Sequence, residues 1–244
     1  MASKSEIIFI SDLHISLEKT EITKRFLSFL QQRMLTAKSL YILGDLFDAW
    51  IGDDDNTPPN PAIKKALKQL SDSGADIFLL QGNRDFLLGS KFCQATGVIL
   101  LDDFSVIELQ GQNVLLTHGD LLCSDDLAYQ AFRQKSRSAE WQCNVLSKPL
   151  FLRLLAAKWY RFRSYFHKRQ KTQEIMDVNQ DTVRSVMQDF NCDTLIHGHT
   201  HRPGQHEFLI EQRSAKRLVL ADWKKERAEI LCWNNGEWRI EVLD

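Results

Sequence analysis

No stretch of this chain approaches the roughly 20 apolar residues that a membrane-spanning helix needs, so a spanning segment is excluded. The apolar run at 7–10 is too short for an export signal and meets Asp12 at once, so no signal peptide is expected. Cysteines are few and scattered: Cys93, Cys123, Cys143, Cys192 and Cys232, odd in number and never in C-x-x-C spacing. A disulfide framework or a zinc knuckle is thereby disfavoured, and reduced thiols in a cytosolic protein are expected. An overall excess of positive charge is also missing. The net charge is −1, which argues against a general nucleic-acid binder. There is no internal repeat and no low-complexity tract. What remains is ordinary globular composition, 43% hydrophobic and 26% charged over 244 residues, enough for one sizeable core and an inserted subdomain.

Apolar and β-branched runs predict strands at 6–11, 40–43, 77–80, 98–101, 105–109, 113–117 and 194–196. Helical periodicity predicts helices at 20–35, 62–73 and 174–190. Three carboxylates and three of the five prolines fall in 53–61, which predicts an exposed loop. The last fifth reads as antiparallel strands at 206–213, 217–222, 228–233 and 237–242, the final pair joined at Asn234-Asn235-Gly236. Strand and helix alternate up to about residue 123, which indicates an α/β fold with its ligand site at strand C-termini. Residues 124–171 are helical in character and interrupt that alternation. They read as an insertion of about 124–172 within a single domain spanning 1–244.

Five short motifs each follow such an apolar run: Asp12-Leu13-His14, Gly44-Asp45-Leu46-Phe47-Asp48, Gly82-Asn83-Arg84-Asp85, His118-Gly119-Asp120 and His197-Gly198-His199-Thr200-His201. On an extended segment Asp12 and His14 would point to one side. Asp45, with two carboxylate oxygens, is the natural bridge between two ions. Asn83 is either a ligand or the brace of a turn. His197 is either part of the site or a hydrogen-bonded core histidine. Asp48 and Asp120 either orient ligands or cap turns. Nitrogen and oxygen donors without thiolate suit Mn²⁺, with Fe, Zn or Co as substitutes. A two-metal centre of this kind hydrolyses phosphate esters.

The set resembles the calcineurin-like metallophosphoesterase superfamily, whose blocks D-x-H, G-D-x-x-D, G-N-H-[DE], an isolated His with Gly, and G-H-x-H appear here in order from residue 12 to residue 201. The resemblance implies a sandwich of two mixed β-sheets flanked by helices. It implies two Mn²⁺ ions per chain, one held by Asp12, His14, Asp45 and His201 and the other by Asp45, Asn83, His118 and His199. One position departs from the pattern: Arg84 stands where many members have His. Arginine does not release a proton at neutral pH, but it clamps phosphate oxygens. A good leaving group, such as one phosphate of a pyrophosphate, suits that exchange.

Between Glu140 and Glu174 there is no acidic residue, while Lys148, Arg153, Lys158, Arg161, Arg163, Lys168, Arg169 and Lys171 are basic. Trp141, Phe151, Trp159, Tyr160, Phe162, Tyr165 and Phe166 are interleaved with them. Such a segment suits an anionic membrane surface or an amphiphilic ligand. It equally suits a helical hairpin packed on the core with a solvated basic face, and aromatics among basic residues also stack on nucleic-acid bases.

Longer strings narrow the resemblance. Residues 44–54, 82–89, 118–120 with 125–126 and 129–130, 175–180 and 197–203 resemble the UDP-2,3-diacylglucosamine diphosphatases of bacterial lipid A biosynthesis. This implies hydrolysis of UDP-2,3-diacylglucosamine to 2,3-diacylglucosamine 1-phosphate (lipid X) and UMP, by a metal-bridging hydroxide attacking the alpha phosphorus. It implies substrate contacts at Asn83, Arg84, Asp126, Ser164, Lys168, Lys171 and His199, with Arg84 and His199 stabilising charge. The insertion would be a lid over the acyl chains. A lipid-linked UDP-sugar is then the substrate, and the anionic inner face of the cell inner membrane is the peripheral partner. Neither nucleic acid nor an obligate protein partner is expected. The rivals are a nucleotide phosphodiesterase or nuclease on the same centre, and a non-catalytic binding module.

Overall fold

The computed structural model describes residues 6–168 and 177–243, with the side chains of 161–168 outside the description. Two mixed sheets stack face to face. The first has the order β11-β10-β1-β2-β3-β4, built from β1 (Glu6–Ile10), β2 (Ala37–Leu43), β3 (Asp76–Leu80), β4 (Ile99–Leu101), β10 (Ala228–Asn234) and β11 (Glu237–Leu243). The second has the order β5-β6-β7-β9-β8, built from β5 (Phe104–Leu109), β6 (Gln112–Thr117), β7 (Thr194–His197), β8 (Gly204–Ile210) and β9 (Arg213–Val219). Strands β1 to β4 run parallel, as do β6, β7 and β9.

Alternation along each strand divides the core into three layers. Phe9, Tyr41, Leu43, Leu80, Val114, Leu116 and Ile196 fill the space between the sheets. Their neighbours Ile8, Ile10, Leu40, Ile42 and Leu79 pack outward against α1 (Thr20–Gln32), α2 (Asn60–Asp72) and α3 (Ser90–Thr96). On the far side Leu115 and Leu195 pack against Val183 and Met187 of α7 (Gln180–Asp189). The central parallel strands β1, β2, β3 and β7 are largely buried on both faces, which is why they read as unbroken apolar runs in the sequence.

The predicted elements stand with shifted ends and three corrections. Helix α7 begins at Gln180, not 174, because the Asn179 side chain accepts the Asp181 and Thr182 amides and caps it there. Residues 174–176 lie outside the described residues. The C-terminal strands form two antiparallel hairpins in different sheets, and β9 also pairs in parallel with β7. The β8–β9 turn falls at Glu211-Gln212, both at positive φ, and not at 214–216. One helix, α3, lies outside those predicted from periodicity; it ends on Gly97 in the left-handed region.

The segment after residue 123 forms α4 (Leu127–Ser136), α5 (Ala139–Leu146) and α6 (Leu150–Lys168). Asp126 and Ser138 cap the first two through their side chains. No helix among the described residues is long and apolar enough to cross a membrane.

Candidate metal centre

The C-terminal ends of β1, β2, β3, β6 and β7 deliver all five motifs to one edge of the sandwich. The loops there are bound to one another. The Asp12 amide donates to Gly44 O (3.1 Å), the His14 amide to Asp45 O (2.9 Å), and the Gly198 amide to His118 O (2.9 Å). Asp12, His14, Asp45, His199 and His201 all adopt positive φ, between 50° and 67°. Each costs on the order of 1–3 kcal/mol in a non-glycine residue, and such strain concentrates at functional sites. Asp12 and His14 therefore converge through a turn and not by strand alternation.

The ligand atoms of Asp12, His14 and His201 lie within 4.8 Å of one another, as do those of Asp12, Asp45 and His118. His201 Nε2 is 3.3 Å from Asp12 Oδ1 and 3.3 Å from His14 Nε2. Asp45 Oδ2 sits between two histidines, 3.7 Å from His14 Nδ1 and 3.8 Å from His118 Nε2. Asn83 Oδ1 is 3.1 Å from His118 Nε2 and 3.0 Å from His199 Nδ1. All seven predicted ligands are thus brought together.

Neighbours fix these groups in place. Asp45 Oδ1 accepts the Arg84 amide at 2.7 Å, leaving Oδ2 for the cluster. Asp85, fully buried, accepts the amides of Gly82 (2.8 Å), Asp45 (3.3 Å) and Phe47 (3.3 Å), which ties the second motif to the third. Asp12 Oδ2 accepts from Ser11 Oγ (2.7 Å) and the His199 amide (2.8 Å). Gly198 is required by this approach. A Cβ there would stand 2.1 Å from Ser11 Oγ and 2.2 Å from Asp12 Oδ2. His197 is a core histidine: it donates Nδ1–H to Gly198 O (2.8 Å) and accepts from Arg217 Nη1 (3.1 Å). Burial and Arg217 push its pKa down to about 3.

The electrostatics call for positive charge. Burial pushes the Asp45 carboxyl up to about 7, with Asp85 and Asp12 adding repulsion. Burial opposes ionisation of Asp12 too, but the surrounding imidazoles of His201, His118 and His14 hold it far below the usual carboxylate range. His118 donates Nδ1–H to Leu43 O at 2.8 Å. Its neutral form would then face the Asn83 carbonyl with a second lone pair. Burial alone would lower its pKa, but Asp45, Asp12 and Asp120 raise it to about 9. A proton or a cation in that contact would satisfy both lone pairs. Asp12 Oδ1 and His14 Nδ1 are buried without a hydrogen-bond partner. Orphaned donors of this kind, in a thiolate-free set of Asp, Asn and His, fit divalent ions.

Beside the cluster lies a cavity of about 550 Å³. Asp48, Trp50, Asn83 and Arg84 line it from the core; Phe132, Trp141, Leu152, Ala156, Trp159 and Tyr160 line it from α4, α5 and α6. Arg153 of α6 joins the helices to the core by donating to Ile51 O (2.6 Å) and pairing with Asp54. Arg137, the C-cap of α4, donates to Gly82 O at 2.9 Å, on the loop that carries Asn83. The 124–168 helices thus form a wall of the site.

The other predicted residues divide. Arg84 lines the cavity, with Nη1 3.8 Å from Asp48. Asp126 is half-buried and caps α4 by accepting the Tyr129 amide at 3.1 Å. The carboxylate of Asp120 accepts from the Tyr129 hydroxyl and from Arg133 Nε, so it reaches His118 through charge and not through a hydrogen bond. Ser164 and Lys168 lie on the last turns of α6 with side chains outside the described residues, and Lys171 lies outside them altogether. Two residues without an assigned part stand at the site: Asp85, within a motif already singled out, and Asp222, whose Oδ2 is 3.5 Å from His201 Nδ1. Asp222 follows the run Leu218-Val219-Leu220-Ala221, the same strand-then-carboxylate signal as the other motifs.

The calcineurin-like phosphoesterase family matches residues 5–203. A UDP-2,3-diacylglucosamine hydrolase from Cellvibrio japonicus is 47% identical over 88% of this chain and 90% of its own. Hydrolases of the same name from Pseudomonas entomophila and Escherichia coli are 49% and 47% identical, each over 90% of this chain and 91% of theirs. A solved archaeal phosphodiesterase, 15% identical over 98% of this chain and 99% of its own, superposes with a TM-score of 0.50 and shares the fold alone. The chain belongs to the calcineurin-like phosphoesterase family and, within it, to the hydrolases that carry the name UDP-2,3-diacylglucosamine hydrolase.

Proposed function

We propose that this chain hydrolyses the pyrophosphate bond of UDP-2,3-diacylglucosamine, releasing UMP and 2,3-diacylglucosamine 1-phosphate in lipid A synthesis. One observation carries the reading. The apolar cavity walled by α4, α5 and α6 opens onto Asn83 and Arg84, so acyl chains and a phosphate have adjoining places. Its volume falls in the range of small-molecule sites, roughly 300–1,000 Å³. A water-soluble nucleotide diester would leave that apolar wall without a use.

Asp12, His14, Asp45 and His201 would hold one Mn²⁺, and Asp45, Asn83, His118 and His199 the other. When bound, two such ions polarise phosphate oxygens and supply a nucleophile at neutral pH. The chain's own residues then divide the remaining work. Arg84, fixed next to Asn83, clamps the uridine-side phosphate and neutralises charge as it develops. His199 stands against Asn83 and faces the same phosphate. No acid is needed at position 84, because the departing group is itself a phosphate. The acyl chains in the cavity hold the glucosamine end away from the cluster, which sets the uridine-side phosphorus as the one attacked. Asp126, Ser164, Lys168 and Lys171 are assigned to the sugar and its phosphate. The 124–172 segment acts as a lid on the single domain.

Phe151 and Leu155 on α6 are each 60% exposed, with Lys148 and Lys158 nearby in the chain. An apolar ridge with basic flanks supports peripheral binding to the anionic inner face of the cytoplasmic membrane. The test of the function is to offer the purified chain, with Mn²⁺, UDP-2,3-diacylglucosamine and UDP-N-acetylglucosamine side by side. Cleavage of the first to UMP and the lipid phosphate, with little of the second, is expected. Equal cleavage of both would refute the lipid assignment.

A further inference from the structure

The loop after β9 is pinned on both sides of one carboxylate. The Leu220 amide donates to His197 O at 2.8 Å, and the Trp223 amide to Asp12 O at 3.2 Å. The Trp223 indole is buried edge-on against Phe26 and Phe29 and donates Nε1–H to Glu229 O at 3.1 Å. Asp222 lies between these anchors with its side chain 12% exposed. Its Oδ2 is 3.5 Å from His201 Nδ1, while Nε2 of the same ring is 3.3 Å from Asp12 Oδ1. His201 thus shows one nitrogen to the cluster and the other to a carboxylate. Of the cluster's other imidazoles, His118 has its outer nitrogen satisfied by a backbone carbonyl, Leu43 O. His201 is partly exposed, on strained backbone at φ 55°, and Asp222 takes the corresponding place.

A carboxylate at Nδ1 favours the Nδ1–H tautomer and turns the Nε2 lone pair toward the cluster. We propose that Asp222 is a positioning residue for this reaction: it sets the tautomer and orientation of His201 so that Nε2 serves the ion shared with Asp12 and His14. The inference rests on the metal reading above. The competing role is a surface pair with Lys224, whose Nζ is 3.3 Å from Asp222 Oδ1. Such a surface pair contributes little to stability and would leave the metals untouched.

The experiment titrates Mn²⁺ calorimetrically into the metal-stripped full chain, as wild type and as Asp222→Ala, Asp222→Asn and Lys224→Ala. Two ions are expected to bind the wild type. Asp222→Ala should weaken one of them by roughly 10–100-fold and spare the other. Asp222→Asn, whose amide oxygen offers Nδ1–H an acceptor in the same place, should lose less, and Lys224→Ala should match wild type. The thermal midpoint of the stripped Asp222→Ala chain should stay within about 2 °C of wild type. Imidazole ¹⁵N shifts should show His201 as the Nδ1–H tautomer in wild type and as a mixture in Asp222→Ala. Unchanged Mn²⁺ affinity in Asp222→Ala overturns the inference while the metal reading stands. So does an equal loss in Lys224→Ala, or equal weakening at both ions with a fallen midpoint. A wild type that takes up no Mn²⁺ overturns the metal reading and the inference with it.

Discussion

Replacing Trp159 and Leu152 with serine separates lipid binding from phosphate chemistry. Both side chains line the cavity, and they are 61% and 45% exposed. They are therefore not committed to core packing, and the exposed share is what an acyl chain would cover. Full burial of a large apolar side chain contributes roughly 1.5–3 kcal/mol. About half of that, on the order of 1 kcal/mol for each residue, is at stake when the substrate seats. The double variant should then lose about 2 kcal/mol of substrate binding, roughly 30-fold in kcat/KM, carried mostly by KM. The assay compares UDP-2,3-diacylglucosamine with bis(p-nitrophenyl) phosphate, a diester without acyl chains that needs only the cluster. Turnover of the small diester should change less than about twofold. The thermal midpoint should fall by no more than about 2–4 °C, since little packing is removed. Equal losses on both substrates would mean that these residues support the core, and the reasoning from exposure to lipid contact would fail.

Three further outcomes follow from the geometry. Gly198→Ala puts a methyl group into the space of Ser11 Oγ and Asp12 Oδ2. It should lower kcat by more than about 100-fold and weaken Mn²⁺ uptake, read by turnover and metal content, although the added group is one carbon. Asp45→Ala should lose both ions and all turnover. The thermal midpoint of the metal-stripped chain should not fall, because a crowded buried carboxylate is removed; two tightly held ions in this variant would refute its bridging place. Phe151→Ser with Leu155→Ser should weaken sedimentation with vesicles containing anionic lipid, roughly 30-fold from about 1 kcal/mol of lost apolar burial at each position. Unaltered sedimentation would place the membrane contact elsewhere.

The motifs were legible because parallel strands buried on both faces leave apolar runs with abrupt polar ends. Asp12, Asp45, Asn83, His118 and His199 all stand one to three residues beyond a strand. Less visible were features decided by tertiary contact. Glu211-Gln212 makes a two-residue turn at positive φ without the Asn or Gly that usually marks one, so both flanking strands read two to four residues late. The start of α7 depends on the Asn179 cap, which the apolar period of the helix does not reveal. Asp222 reaches His201 only because Trp223 is buried against α1 and draws its loop inward, a contact across some 200 residues. Composition left the 124–168 segment open between lid, packed hairpin and base-stacking surface. The cavity between α6 and the loops at Trp50 and Arg84 favours the first, since it leaves Trp159 and Leu152 unburied.

The cluster and the cavity are proposed to act together on one bond of a lipid-linked UDP-sugar, at its uridine-side phosphorus. Hydrolysis of UDP-2,3-diacylglucosamine in H₂¹⁸O, with mass spectrometry of both products, tests this most directly. The expected products are UMP and 2,3-diacylglucosamine 1-phosphate, with the label in UMP. Label in the lipid phosphate, or release of UDP and the free diacyl sugar, would contradict it.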